Sequence, residues 1–96
     1  MEPTMKFKLD INLDDQQEAE EFIELYRTSK GRLLANRLGL TGVGSSKLAT
    51  ALSNYAWNKV TAINCRTKGF IDSASAYESI CDRIYKEDIQ PHCECW

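Results

Sequence analysis

Hydrophobic and polar positions alternate strictly from residue 6 to residue 13. Phe7, Leu9, Ile11 and Leu13 fall on one side, and Lys6, Lys8, Asp10 and Asn12 on the other. Period-2 alternation over eight residues predicts a strand with one buried face. It is the one convincing strand in the chain, so its backbone donors and acceptors need a partner. Two partners suit: an extended piece around Leu40–Val43, or the same strand of a second copy, giving a homodimer through residues 6–13.

The period then changes to that of a helix. Asp14 or Asp15 caps a first helix whose acid-rich opening turn suits the positive end of the helix dipole. Ala19, Phe22, Ile23 and Tyr26 form its core stripe. Thr28-Ser29-Lys30-Gly31 breaks it, and a short helix at about Leu33–Leu38 follows, with Leu34, Ala35 and Leu38 on one side and Gly39 at its end. The turn Leu40 to Ser46 leads to a third helix, capped by Ser45 or Ser46 and running to about Lys68. Its buried stripe is Ala49, Leu52, Ala56, Val60 and Ile63, and Gly69 stops it. Asp72 or Ser73 opens a fourth helix with Ala74, Tyr77, Cys81 and Ile84 inward. Pro91 ends it and leaves His92 to Trp96 as a loose tail. The fold class is mainly α: a single small domain over residues 1–96, an N-terminal strand followed by about four helices, the last two an antiparallel hairpin. Ala56 to Tyr85 resembles one tetratricopeptide-type unit, with Ala56-Trp57, Gly69, Ala74 and Tyr77 at its spacing. The resemblance implies only a helix pair, since one unit stands where about three are needed for stability.

Charge changes the picture more than composition does. Leu25 to Ile71 contains no Asp or Glu, yet carries Arg27, Lys30, Arg32, Arg37, Lys47, Lys59, Arg66 and Lys68. Acids flank it on both sides, so a net charge of −2 conceals an acid–base–acid layout. No apolar run spans a bilayer. Met1 to Lys6 lacks the pattern of a secretory leader, which leads us to expect a cytoplasmic protein. Four cysteines without an export signal read as thiols rather than disulfides.

Candidate chemistry concentrates in that acid-free centre. Leu34-Ala35-Asn36-Arg37-Leu38-Gly39-Leu40-Thr41 resembles the first helix and turn of a helix-turn-helix, with Ser45, Ser46, Lys47 and Thr50 near the start of a recognition helix. Ser45 stands where that motif expects an apolar residue, and an ordinary helix corner is the alternative. Gly39 and Gly44 have P-loop spacing, but Ser45 replaces the required Lys, which excludes that motif. Trp57 is either an exposed aromatic that stacks on a base or anchors a partner, or a side chain covered by the fourth helix or the strand. The outer face Lys6, Lys8, Asp10, Asn12 resembles the ribbon of ribbon-helix-helix proteins, although Asp10 and two further helices depart from it.

His92, Cys93 and Cys95 are ligand types at poor spacing, so neither a metal nor a cofactor is expected. Catalysis lacks support, because the lone His lies in the tail. Two functions remain. One is a non-enzymatic, regulatory nucleic-acid-binding protein, DNA favoured, using Lys30, Arg32, Arg37, Ser45, Ser46, Lys47, Trp57, Lys59 and Lys68. The other is an adaptor or inhibitor that grips an acidic protein surface through the same patch and Trp57. A calculated isoelectric point of about 5.3 counts against the first, since nucleic-acid-binding domains usually exceed 9.

Overall fold

A computed structural model describes residues 6–96; Glu2 and the leader reading of Met1–Met5 lie outside them. The order is β1 (Phe7–Lys8), α1 (Gln16–Thr28), α2 (Gly31–Arg37), α3 (Ser45–Thr67), α4 (Ile71–Ile84) and β2 (Cys93–Glu94), with a π turn at Tyr85–Ile89 between the last two. The chain is mainly helical, as its periodicity predicts. The long α3 is the hub: α1, α2 and α4 all pack on it. Leu13, Leu34, Leu40, Leu48, Leu52 and Ile89 are the largest fully buried side chains, drawn from α2, α3, the π turn and the segments before α1 and after α2.

Local chemistry sets the boundaries. Asp15 caps α1 by accepting a hydrogen bond from the Glu18 amide at 3.1 Å, and Ala19, Phe22 and Ile23 are buried as their spacing requires. α2 starts two residues earlier than its apolar pattern suggests and ends at Arg37, with Leu38 as its C-cap. Gly39 takes φ +76°, which lets the Leu40 amide reach the Ala35 carbonyl at 2.9 Å and tucks Leu40 into the core. Gly69, at φ +87°, ends α3 in the same way, with the Phe70 amide on the Cys65 carbonyl at 2.8 Å.

Three expectations are corrected. The strand predicted over residues 6–13 is regular only at Phe7–Lys8, although the burial of Phe7, Leu9, Ile11 and Leu13 keeps the period-2 pattern throughout. Within the chain its partner is not Leu40–Val43 but β2, in parallel register Phe7↔Cys93 and Lys8↔Glu94. The Phe7 and Leu9 amides donate to the His92 and Glu94 carbonyls at 2.9 and 3.1 Å. The tail is therefore held rather than loose. Cys93 is buried, and the Trp96 ring lies 5.3 Å from that of Tyr55 and 5.2 Å from that of Tyr85. Tyr55, Tyr85 and Trp96 thus meet as a cluster of three rings, and the apolar area they bury holds the tail down.

The end of the fourth helix also shifts register. After Cys81 and Ile84, a regular α-helix would next turn Asp88 inward. The π turn at Tyr85–Ile89 adds a residue to that turn, so Ile89 is fully buried and Asp88 is exposed.

Candidate functional site

The corner between α2 and α3 holds most of the residues singled out in the sequence. Arg32 and Arg37 are exposed on α2. Lys30 precedes the helix, with its Nζ 5.5 Å from the centre of the Tyr26 ring, a cation–π distance. The loop Thr41–Gly44 is exposed and Val43 projects fully into solvent. Gly44, not a serine, caps α3, and no side chain satisfies the first-turn amides. Ser45 is buried inside the first turn, and its hydroxyl donates to the Gly42 carbonyl at 2.9 Å. That bond fixes the loop and removes Ser45 from the set of surface groups.

Beyond the corner the predicted set disperses. Lys59 is three-quarters covered and pairs with Asp14 at 3.3 Å. Arg66 makes two hydrogen bonds to Glu78, at 3.2 and 2.7 Å. The acid-free segment is thus not free of acids in space, because the flanking carboxylates fold back onto it. Lys68 closes α3, about 31 Å along the helix from Lys47 at 1.5 Å per residue. Among the described residues, no ion pair engages Lys30, Arg32, Arg37, Lys47 or Lys68.

Ser46 and Lys47 line a cleft of about 650 Å³ between the start of α3 and the joined ends of the chain. Thr50 and Asn54 continue its α3 wall, Val43 and Gly44 form one lip, and Phe7, Asp88 and His92 face them. Asn54 and Thr50 follow Lys47 at helical spacing, a signal visible in the sequence once the buried stripe is known. Phe7, Asp88 and His92 carry no such signal, since only the β1–β2 pairing brings them here. Catalysis by the lone histidine requires the tail to fold back, and it does. Among the described residues, however, no hydrogen bond joins the His92 ring to Ser46 or Asp88, so a nucleophile–base pair is not formed.

Trp57 is 57% exposed, on the outward stripe of α3 that runs through Lys47, Thr50, Asn54, Thr61, Asn64 and Lys68. Neither α4 nor the strand covers it. Its surroundings differ from those the helix spacing implies. Glu20, Glu24 and Arg27 of α1 face it across a groove of about 380 Å³ whose apolar lining is Ile23, Val60 and Trp57 itself. Trp57 therefore belongs to an acid-rimmed groove, apart from the basic corner. No family model matches this chain, and neither a curated protein nor a solved structure is similar to it.

A part-buried polar contact joins the middle of α3 to the segment before α1. The Tyr55 hydroxyl donates to Asp14; burial first, and then the adjacent carboxylate, push the Tyr55 phenol well above its ordinary value. Burial likewise raises the Cys81 thiol to about 11 and, with a contribution from Cys95, the Cys93 thiol to about 12. These thiols are protonated and inert at neutral pH. Cys93 sits in the core while His92 faces the cleft, so the tail's candidate metal ligands do not converge. Among the described residues, no helix is long and apolar enough to cross a membrane.

Proposed function

We propose that the chain is a small non-enzymatic nucleic-acid-binding protein of accessory or regulatory type, using the α2–α3 corner as its phosphate-contacting surface. The observation that supports this reading is that Lys30, Arg32, Arg37 and Lys47 are all exposed and outside any ion pair among the described residues. A cation already paired to a carboxylate releases little on meeting a phosphate; an unpaired one gains the full counterion-release term. The start of α3, with Ser46 and Lys47 beside amides that no side chain caps, adds a site suited to a phosphate oxygen. Thr50 and Asn54, one and two turns on, are placed as the base-reading residues of a recognition helix would be. We read α3 and α4 as the antiparallel hairpin that braces this corner. Followed back along α3 from Arg66 to Tyr55, the contacted residue moves forward along α4 from Glu78 to Cys81, the sense of an antiparallel pair.

The test is fluorescence anisotropy with mixed-sequence duplex and single-stranded DNA at low and moderate salt. Binding should weaken steeply as salt rises and be lost when Arg37 and Lys47 are both changed to Glu in a protein still folded by circular dichroism. Flat traces at the lowest salt defeat the reading.

A protein partner is the second reading, favoured by the exposure of Trp57. Because the groove around Trp57 is acid-rimmed, one acidic partner would not engage both it and the basic corner. An adaptor of this shape would offer the corner to an acidic surface and the Trp57 groove, as its anchor, to a basic or apolar one.

A further inference from the structure

We propose that the α1–α3 groove is the docking site for the α2 corner of a second copy of this chain. Leu33 would sit against Trp57, Ile23 and Val60, while Arg32 and Arg37 meet the carboxylates of α1.

Each half of this contact is unusual by itself and complementary to the other. The groove has an apolar floor that is left open, since Trp57 is more than half exposed. Its far wall is α1, which carries Glu18, Glu20, Glu21 and Glu24 against a single Arg27. That arginine is already held by Glu24 at 3.4 Å, so the rim keeps a negative excess. The corner is the inverse. Leu33 is 53% exposed, Arg32 precedes it, and Arg37 follows at i+4, on the same face of the helix. A leucine left in water between two arginines costs solvation that an apolar groove rimmed by carboxylates would recover.

One molecule does not satisfy these groups internally. Among the described residues, no ion pair links the α1 carboxylates to Arg32 or Arg37. The contact therefore joins copies head to tail, a heterologous arrangement that leaves a free groove and a free corner to extend the assembly or close a ring. Opposite charge at about 4 Å is weakened by salt where it is exposed, so association should be strongest in dilute buffer. The inference does not depend on nucleic-acid binding, but the two compete, because they use the same arginines.

Sedimentation equilibrium of the purified protein, without nucleic acid, tests it. In low salt the weight-average mass should rise with concentration from 10.9 kDa to twice that or more, and fall back in about 0.5 M salt. A groove variant (Glu20→Lys with Glu24→Lys) and a corner variant (Arg32→Glu with Arg37→Glu) should each stay at the monomer mass. Mixed in equal amounts they should associate again, because each groove then meets a corner of opposite sign. Recovery in the mixture also shows that both variants are folded. Trp57→Ala should abolish association in the native background. A native protein that stays monomeric at the highest attainable concentration overturns the proposal. So does association that survives both charge reversals and Trp57→Ala, which would point to another surface such as the free edge of β1. Failure of the two variants to recover in a mixture overturns it as well.

Discussion

Tyr55 donates its phenolic hydrogen to Asp14 across 41 residues of chain, and the same carboxylate holds Lys59 at 3.3 Å. The start of α1 is thereby fixed to the middle of α3 by one acid serving two partners. Tyr55 is nearly fully buried, so its hydroxyl depends on this acceptor. Tyr55→Phe removes one donor and should cost about 1 kcal/mol. Asp14→Ala strands both partners and should cost about 1–3 kcal/mol, at the lower end because Asp14 is half exposed. Urea denaturation of the two variants and the double variant checks this. If Asp14→Ala costs nothing once Tyr55 is Phe, the lysine pair contributes nothing.

The same geometry separates structural cations from surface ones. Lys59→Gln should lower stability by less than about 1 kcal/mol and leave nucleic-acid affinity unchanged. Arg37→Glu with Lys47→Glu should do the reverse, and Arg37→Gln alone should reduce the salt slope by about one unit. Parallel anisotropy and urea titrations distinguish the two outcomes. Equal loss of affinity in Lys59→Gln would return Lys59 to the binding surface.

Stability should fall on the alkaline side. Burial raises the folded Cys81 thiol from 9.0 to about 11 and the folded Cys93 thiol from 9.0 to about 12. Below pH 9 both states are protonated and the thiols have no effect on the balance. As pH rises above 9 the unfolded chain loses these protons first, which favours unfolding until the folded thiols also titrate near 11 and 12. Melting temperature should therefore drop progressively from about pH 9, and the drop should shrink in Cys81→Ala compared at equal starting stability. A flat profile from pH 8 to 10.5 would contradict the burial of both thiols.

The tail should behave as part of the fold. The Phe7 and Leu9 amides, which donate to the His92 and Glu94 carbonyls, should be protected from hydrogen exchange. Cys93→Asp places an unpaired charge in the core and should expose both amides to exchange before the helices lose protection. Unprotected Phe7 and Leu9 in the native protein would mean the tail is loose after all.

Helix positions were legible because each rests on a local pattern. Ala19, Phe22 and Ile23 announce α1, and the glycines at 39 and 69 announce two helix ends. Even the inward face of residues 6–13 was readable, since burial follows the alternation without needing hydrogen bonds. The partner of that strand was not, because a two-residue ladder between distant segments has no periodic signature. Cys93 and Cys95 do alternate with Glu94, the one hint available. The π turn hid Ile89 for a different reason: a five-residue turn breaks the 3.6 spacing on which the inward positions were projected. For the candidate site, local charge picked out cations that the corner leaves exposed, but it missed the pairing of Lys59 with Asp14 and the acids around Trp57. Both errors come from acids that are distant in sequence and adjacent in space.

The parallel pairing of β1 with β2 also orders events during synthesis. Phe7 leaves the ribosome well before its strand partner Cys93 is made. Through that interval the segment from Phe7 to Leu13 has its apolar side available and one strand edge unmet, while α1 to α4 can already assemble from near-neighbour contacts. Pairing β1 with β2 is the contact between elements with the longest sequence separation, and so the one that loop-closure entropy places late.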